Sequence, residues 1–213
     1  MRVRQDEIKL EKPLFYNNTF ALRFEIGSPA IGVWANRERR QFNEEYFKTA
    51  LERAQHIFNT AFTASDEISI AYQLFSDGRR KIKKKCYILQ QIQIEKHKEI
   101  SFSEHRELYS ENLNYKCEHW RRATMSGLTI EDINIHNILL ALINTDFGSR
   151  QPSIGGECYF INHTKDLVLN LYDDRGMDVV APKRETLLPL YNIHNEWILN
   201  HDRELIDEAF SQI

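Results

Sequence analysis

Three carboxylates and one guanidinium stand within six positions of each other in the stretch N-L-Y-D-D-R-G-M-D-V-V-A. They belong to Asp173, Asp174, Arg175 and Asp178. Carboxylates grouped in this way can hold a divalent metal ion that activates water, or they can attract a basic partner protein. They can also simply build a tight turn. The residue types leave all three interpretations open, and they favour the turn.

The pattern on either side of the cluster supports the turn. Alternating leucines before it and a valine-rich run after it predict two strands, with D-D-R-G as the connection of a β-hairpin. Gly176 is expected to supply the positive φ that such a turn requires. Asp173 or Asp174 can accept hydrogen bonds from the backbone amides of the turn. We expect Arg175 and Asp178 to form a cross-strand ion pair, worth about 0–1 kcal/mol if it is exposed.

A second charged group follows in the tail L-Y-N-I-H-N-E-W-I-L-N-H-D-R-E-L-I-D-E-A-F. The apolar spacing of the tail predicts two helices, over residues 184–199 and 202–210, and Asp202 is the expected cap of the second. Arg203 lies at the start of that helix, and a guanidinium beside an apolar face needs a carboxylate partner. We expect the hairpin at residues 173–178 to supply this partner, which would join both charged groups in one network.

The rest of the chain predicts the elements that hold these groups in place. Alternation of apolar and polar residues predicts three strands, over residues 21–26, 67–76 and, more weakly, 115–125. Apolar residues that recur every three or four positions predict one helix capped by Asn43 and another capped by Thr129. Asp132 would complete a capping box with Thr129.

The order of these elements predicts the fold class. Strands and helices mix irregularly, and three further strand-like runs follow residue 156. This order predicts an α+β fold, in which a largely antiparallel sheet carries packed helices and a C-terminal helix pair. A length of 213 residues suits a single domain over residues 1–213. The loop F-G-S-R-Q-P-S-I-G-G-E marks a candidate lobe boundary near residues 148–156.

Composition and charge narrow the classes of function. The sequence shows neither the apolar core of a signal peptide nor the run of ~18 apolar residues that a membrane span requires. We therefore expect a cytoplasmic protein without a membrane partner. Cys86, Cys117 and Cys158 are far apart and odd in number, which fits a reducing compartment. A net charge of −3 offers no general attraction to nucleic acid, which is not an expected partner.

One basic run departs from this acidic balance, in the stretch D-G-R-R-K-I-K-K-K-C. It is a candidate anion-binding patch formed by Arg79, Arg80, Lys81, Lys83, Lys84 and Lys85. The same residues can instead guard a strand edge against aggregation. The interpretation as strand-edge protection is favoured, because no aromatic side chains interleave with the basic residues to stack on nucleobases.

Motifs for catalysis are missing from the sequence. It contains no phosphate loop, nucleophile elbow, dinucleotide fingerprint or kinase loop. Cys117 and His119 are too isolated for a zinc site. His201 and Asp202 lack the further ligands of a metal-dependent phosphohydrolase, since only Asp207 follows them as an aspartate. No catalytic residue, no metal ligand set and no cofactor are therefore expected.

The C-terminal pattern carries a resemblance to a known family. The chain resembles a bacterial family of uncharacterised proteins, a domain of unknown function with a Trp-x-Leu-x-x-Asp-Arg-x-x-Ile pattern behind a Tyr-Asp-Asp-Arg-Gly hairpin. The matching residues are Trp197, Leu199, Asp202, Arg203 and Ile206, with the hairpin at residues 172–176. That family often has tyrosine where this chain has His201, so an indispensable catalytic side chain is not expected there. The resemblance implies no activity and no cofactor.

The leading hypothesis is a non-enzymatic, protein-binding domain. A mid-sized acidic chain without catalytic motifs suits an immunity or antitoxin-like protein that caps a basic partner such as a toxin. The expected binding residues are Tyr172, Asp173, Asp174, Arg175, Asp178, Trp197, Asp202 and Arg203. Tyr172 and Trp197 would be the anchors if they are exposed. The alternative is a metal-dependent hydrolase or nuclease that uses Asp173, Asp174 and Asp178.

Overall fold

The computed structural model describes residues 8, 10, 13–76, 82–83, 85–93, 99–106 and 119–211, without the side chains of residues 75, 76, 105, 106, 119 and 120. Within these residues the strands are β1 Phe20–Glu25, β2 Trp34–Asn36, β3 Gln41–Phe42, β4 Ile68–Ser76, β5 Ile100–Arg106, β6 His119–Leu128, β7 Glu157–Asn162, β8 Leu167–Leu171 and β9 Gly176–Ala181. The α-helices are α1 Glu44–Ala61, α2 Tyr87–Gln90, α3 Ile135–Ile143, α4 Arg184–Ile193 and α5 Arg203–Ser211. Short 3-10 helices cover Leu14–Asn17, Ile130–Asp132, Asn195–Trp197 and Asn200–Asp202.

Seven strands form one sheet in the order β1-β9-β8-β7-β4-β6-β5, and β2 and β3 form a separate hairpin. Every neighbouring pair in the large sheet is antiparallel. The predicted α+β class with a largely antiparallel sheet is confirmed. The predicted strand over residues 115–125 corresponds to β6, although residues 115–118 lie outside the described residues.

Helix α1 covers the first face of the sheet as the sequence predicts. The Asn43 side chain accepts a hydrogen bond from the Glu45 amide at 3.2 Å and caps the helix. Its apolar stripe is buried in the main core, at Tyr46, Phe47, Ala50, Ala54, Ile57, Phe58 and Ala61. Helix α3 packs beside α1 on the same face. The leucines of β8 point into this core, whereas Val168 between them points to the second face.

The second face of the sheet is covered by the N-terminal part of the chain. Leu14 is fully buried against a small apolar cluster that includes Tyr159, Val168 and Val180. Ile8 and Leu10 pack at the margin of the same cluster. The sequence pattern did not predict this covering segment. Its consequence is that Arg23 of β1 and Asp178 of β9, on the second face of the sheet, are shielded from water.

The predicted helix capped by Thr129 begins later than expected. The capping box between Thr129 and Asp132 is present, but it closes only the 3-10 helix Ile130–Asp132. Ile133 is extended, with φ −126° and ψ 126°, and forms a bridge with Ile92. This tertiary pairing takes the chain out of helical geometry, so that α3 starts at Ile135 with Asn134 as its cap.

The predicted helix over residues 184–199 is also shorter than expected. It ends at Ile193, and Ile198 lies extended beside β1, where it bridges to Phe24. The Leu199 amide then donates to the Arg23 carbonyl at 2.9 Å. The outer edge of β1 offers backbone groups that need partners, and this pairing supplies some of them. The C-terminal helix pair itself is confirmed as α4 and α5.

The segment at residues 148–156 is tied to the elements around it. The Ile154 amide donates to the Ala141 carbonyl at 3.3 Å. The Tyr72 hydroxyl donates to the Gly155 carbonyl at 2.7 Å, and the Asn144 side chain donates to the Pro152 carbonyl at 2.9 Å. These bonds join the segment to α3 and β4. The lobe boundary at this segment stays a prediction.

Two further predictions, the anion-binding patch and the absence of a membrane span, can be compared only with the residues that the structure describes. Lys83 and Lys85 of the candidate anion-binding patch are exposed, whereas Arg79, Arg80, Lys81 and Lys84 lie outside the described residues. Over the part of the chain that the structure describes, no helix has both the length and the apolar character needed to cross a bilayer.

Candidate functional site

Asp178 forms a buried ion pair with Arg23. The two residues stand opposite each other on β9 and β1. Arg23 Nε donates to Asp178 Oδ1 at 2.8 Å, and its Nη2 donates to Oδ2 at 3.1 Å. The side chains are 12% and 2% exposed. Burial raises the pKa of Asp178, although Arg23 opposes this shift. The predicted pair of Asp178 with Arg175 is wrong, because Asp178 faces the second side of the sheet.

Asp202 joins this pair to the C-terminal helices. Arg23 Nη1 donates to Asp202 Oδ2 at 3.3 Å, and the Tyr16 hydroxyl donates to Asp202 Oδ1 at 2.7 Å. We call Tyr16, Arg23, Asp178 and Asp202 the charged junction. Asp202 stands directly before α5, as expected of a cap, and its carboxylate accepts from Arg23 and Tyr16. Its capping role stays a prediction. The junction connects the N-terminal segment, the sheet and α5.

The aromatic residues of the N-terminal segment enclose the guanidinium. The centre of the Arg23 guanidinium lies 4.8 Å from the Phe15 ring centroid and 4.9 Å from the Tyr16 ring centroid. The two rings meet edge to face at 4.9 Å. The Phe15 amide also donates to Asp178 Oδ2 at 3.1 Å. Cation–π contact and hydrogen bonding thus hold Tyr16 in place, although 53% of it is exposed.

Tyr16 and Arg23 were missed by the sequence reasoning. In the alternating strand of residues 21–26, Arg23 stands at a polar position, which predicts a solvated side chain. Nothing local signals that the N-terminal segment covers this position. Only the pairing of β1 with β9 brings Arg23 to a carboxylate 155 residues away in the chain.

The turn of the hairpin is built by Asp173. Its Oδ1 accepts a hydrogen bond from the Arg175 amide at 2.8 Å, which confirms the predicted turn chemistry. Arg175 Nε donates to Asp173 Oδ2 at 3.0 Å. The Arg175 side chain is 72% exposed and reaches Asp146 at 3.6 Å. The arginine of the hairpin therefore serves the turn, and its charge is compensated within the loop region.

Asp174 anchors the hairpin to the start of α1. The Tyr46 hydroxyl donates to Asp174 Oδ2 at 2.6 Å, and both side chains are buried. Burial raises the pKa of each group. A Cβ at Gly27 would lie 2.7 Å from Tyr46 Cζ and 2.9 Å from the Asp174 carbonyl oxygen. Position 27 therefore needs a glycine, because a side chain there would collide with the Tyr46 ring and with the Asp174 backbone.

Gly176 is required for a different reason from the one predicted. It lies in β9 opposite Glu25, and its φ is not positive, so the predicted positive-φ role is wrong. The Tyr172 hydroxyl occupies the space that a Cβ would need, and Tyr172 Cε2 would lie 3.0 Å from it. The missing side chain lets the tyrosine ring lie across the strand.

We expect Gly176→Ala to lower the free energy of unfolding by about 1–3 kcal/mol, because the added methyl group overlaps the Tyr172 ring. Urea unfolding followed by circular dichroism measures this loss. Gly148→Ala is the matched control, because nothing lies within 4 Å of a Cβ there. In a Tyr172→Ala background the cost of Gly176→Ala should almost vanish. An undiminished cost in that background would contradict the close-approach explanation.

A divalent cation would find three oxygens near the hairpin. Oxygens of Asp146, Asp173 and Asp174 lie within 4.8 Å of one another. Protein groups already serve all three carboxylates, since Arg175 binds Asp173 and lies 3.6 Å from Asp146, and Tyr46 binds Asp174. Asp178, the third carboxylate of the sequence-based metal hypothesis, faces Arg23 on the other side of the sheet. The expectation that Asp173, Asp174 and Asp178 converge is therefore wrong.

A groove of about 310 Å³ lies between α1 and α3. It is lined by Glu44, Glu45, Phe47, Lys48, Leu51, Leu140 and Arg150. None of these residues belongs to the hairpin. The groove therefore does not present the hairpin carboxylates to a substrate.

Arg203 and Trp197 stabilise the chain reversal between α4 and α5. Arg203 donates to the Asn195 carbonyl at 2.6 Å and to the Ile198 carbonyl at 3.3 Å. The expected pairing of Arg203 with a hairpin carboxylate is wrong, because the backbone carbonyls of Asn195 and Ile198, on either end of a 3-10 helix, take its donors. Trp197 stacks on His194 at 4.9 Å and is only partly exposed. Tyr172 is also partly buried, so neither expected anchor is an exposed aromatic residue.

The exposed surface next to the charged junction has both apolar and acidic residues. Asp202 binds Tyr16 and stands immediately before α5. Leu205 lies in the first turn of that helix. Leu205 and Tyr16 are 56% and 53% exposed. Glu204 and Glu208 are exposed beside Leu205. We call Tyr16, Glu204, Leu205 and Glu208 the Tyr16–Leu205 patch.

Comparison with known proteins places the chain in a family. It is 27% identical over 195 residues to the uncharacterized protein YnaE of Bacillus subtilis (strain 168), which covers 87% of this chain and 89% of that protein. No solved structure matches the present chain. The family model described as domain of unknown function (DUF3885) matches residues 1–202. The chain therefore belongs to the DUF3885 family, in agreement with the resemblance of its C-terminal pattern.

Proposed function

We propose that this protein is a non-enzymatic, cytoplasmic domain that binds a basic protein, in the manner of an immunity or antitoxin protein. The observation that carries the proposal is the state of Tyr16. This tyrosine is 53% exposed, yet its hydroxyl and its ring are both held by the charged junction. An exposed aromatic side chain that is already fixed in place is the type of residue that anchors protein interfaces.

Fixing Tyr16 before binding reduces the entropic cost of an interface. Ordering a flexible side chain on association costs about 0.5–1.5 kcal/mol. Here the side chain is already ordered in the free protein. The Tyr16 hydroxyl donates a hydrogen bond to Asp202 Oδ1 at 2.7 Å, and the Arg23 guanidinium lies 4.9 Å from the centroid of the ring. Leu205, in the helix that begins directly after Asp202, adds a second exposed apolar side chain to the proposed binding centre.

The charges around this centre favour a basic partner. Glu204 and Glu208 are exposed one turn apart on α5. Arg203, the basic residue of that helix, is turned inwards to the carbonyls of Asn195 and Ile198. The outward face of α5 is thus acidic, in keeping with a net charge of −3 for the chain. Complementary charge of this kind raises the association rate and excludes partners of the wrong sign.

In this proposal the Tyr16–Leu205 patch, and not the charged hairpin, contacts the partner protein. Asp173, Asp174 and Asp178 are 5%, 4% and 2% exposed, so they offer little charge to a partner. Asp202 keeps a role as the support of Tyr16. The alternative of a metal-dependent hydrolase or nuclease finds less support, because its three carboxylates are divided between two sides of the sheet and each has a protein partner.

Affinity purification with a tagged full-length chain from native lysate, read by mass spectrometry, tests the proposal. We expect a stoichiometric partner of high isoelectric point. Capture should be lost with Leu205→Glu and with Tyr16→Ala, because each removes apolar area at the centre. Charge reversal in Glu204→Lys/Glu208→Lys should slow association, measured by surface plasmon resonance at low salt.

Ile193→Glu is the matched control for Leu205→Glu. Ile193 is 63% exposed at the end of α4 and lies outside the proposed patch. Both substitutions place a carboxylate on an exposed helix position, so both variants should fold, which circular dichroism checks. Loss of the partner only in the Leu205 variant supports the proposal. Equal capture by both variants, or a partner that is itself acidic, contradicts it.

A further inference from the structure

The hairpin of β2 and β3 carries an arginine-rich turn that the protein-binding proposal does not use. The turn N-R-E-R-R joins the two strands, and Arg37, Arg39 and Arg40 are all exposed. The Asn36 side chain accepts from the Arg39 amide at 3.0 Å, and the Arg40 amide donates to the Arg37 carbonyl at 3.2 Å. The backbone that carries the guanidinium groups is therefore held in one conformation.

These arginines differ from the other arginines whose side chains the structure describes. Elsewhere among the described side chains, each arginine is engaged in a hydrogen bond or an ion pair: Arg23, Arg53, Arg121, Arg122, Arg150, Arg175, Arg184 and Arg203. Among the side chains that the structure describes, no carboxylate or carbonyl group binds the guanidinium of Arg37, Arg39 or Arg40. Three uncompensated guanidinium groups thus gather on one turn, with Glu38 as the acidic residue between them.

A flat aromatic surface lies at the base of the same hairpin. Trp34 stacks on Phe42 with ring centroids 4.6 Å apart and planes inclined by 22°. Phe42 in turn packs edge to face on Phe47 and Phe147, each at 5.5 Å. The indole is therefore supported from below, while 39% of Trp34 is exposed. The arrangement leaves a rigid ring available for stacking.

We propose that the β2–β3 hairpin binds single-stranded nucleic acid. Guanidinium groups match phosphate oxygens with two parallel hydrogen bonds, and every base has a flat face that can stack on an indole. In this complex the three arginines bind the phosphate groups of a short strand, and the Trp34 ring stacks on one of its unpaired bases. Arg40 has a positive φ of 53° at the end of the turn, directly before β3.

The net charge of the chain limits how this binding works. At −3, the protein as a whole repels a polyanion, so attraction must come from the hairpin itself. An acidic protein segment could also meet the arginines, but it has no flat group that would require the exposed indole. The exposed ring therefore favours an unpaired base over a carboxylate-rich peptide.

Fluorescence anisotropy with a labelled 12-residue oligouridylate tests the proposal on the full-length chain. Three phosphate contacts predict a slope of about −2 for log affinity against log salt. A fourfold rise in salt from 50 mM should then weaken binding about 16-fold. Arg37→Ala/Arg39→Ala/Arg40→Ala should remove both the binding and the salt dependence. Trp34→Ala should weaken binding about tenfold, through the lost stacking of one base.

Lys48→Ala/Lys183→Ala is the matched control, because it removes exposed positive charge outside both the hairpin and the candidate anion-binding patch. This variant should bind the oligonucleotide as the wild type does. Free uridine monophosphate, as a second probe, should bind far more weakly than the strand. Three results would overturn the proposal: no binding at 50 mM salt, binding that survives the triple arginine substitution, or stronger binding of a labelled hexaglutamate peptide.

Discussion

Replacement of Arg23 by methionine should lower the free energy of unfolding by about 3–5 kcal/mol. The substitution keeps an unbranched side chain of similar length but removes the guanidinium from a carboxylate that is 2% exposed. Asp178 then stays buried with the Phe15 amide as its remaining described donor. Asp202 also loses a donor, and the Tyr16 ring loses its cation–π contact. An uncompensated buried charge is far more costly than a lost surface ion pair.

The loss should depend on pH in a definite direction. Burial already raises the pKa of Asp178 above its value in the unfolded chain, with Arg23 opposing the shift. A carboxyl group with a raised folded-state pKa favours the folded state at low pH and loses this contribution as the pH rises through that pKa. Without Arg23 the pKa rises further. The difference between wild type and variant should therefore be small at acid pH and grow towards neutral pH.

Urea unfolding at several pH values between acid and neutral measures this difference. The double variant Arg23→Met/Asp178→Leu is the control, because replacing a buried ion pair by apolar side chains is often neutral. It should recover more than half of the stability that the single variant loses. A single-variant loss below about 1 kcal/mol, typical of an exposed ion pair, would contradict the buried charged junction.

Gly156→Ala should lower the free energy of unfolding by about 3–4 kcal/mol, the sum of overpacking and an unfavourable backbone conformation. Gly156 has a φ of +91°, which side chains rarely adopt. A Cβ there would also overlap the Gln73 carbonyl oxygen and the Leu74 side chain. Gln73 lies within β4 and pairs with both β6 and β7, so its backbone cannot move aside cheaply.

The adjacent Gly155→Ala is the matched control. It has no positive φ, and nothing lies within 4 Å of its Cβ, so its effect should stay below about 1 kcal/mol. Thermal unfolding by circular dichroism should show a fall in Tm of about 6–16 °C for Gly156→Ala. The pair also tests the predicted lobe boundary. If residues 148–156 were a loose linker between lobes, both substitutions would have equally small effects.

The fold class could be predicted because its signals are local. Alternation along β1 and β4 and helical spacing in α1 arise from contact of one face with the core. The apolar runs of β7, β8 and β9 are local signals of the same kind, for strands buried on both faces. The Asn43 cap and the Asp173 turn bond join residues two positions apart, so a single sequence contains them. The shortened helices could not be predicted, since Ile133 and Ile198 leave helical geometry to form bridges with the distant residues Ile92 and Phe24.

The sequence by itself determined the antiparallel α+β architecture, the position of the charged hairpin and the family, because each depends on periodicity or on a short motif. The tertiary structure alone decided the partners of the charges. Arg23 meets Asp178 and Asp202 across 155 and 179 residues, and Tyr16 reaches Asp202 across 186. A charged residue in a sequence can pair with any opposite charge that folding brings near. Strand register and the covering N-terminal segment make that choice, and neither has a local signal.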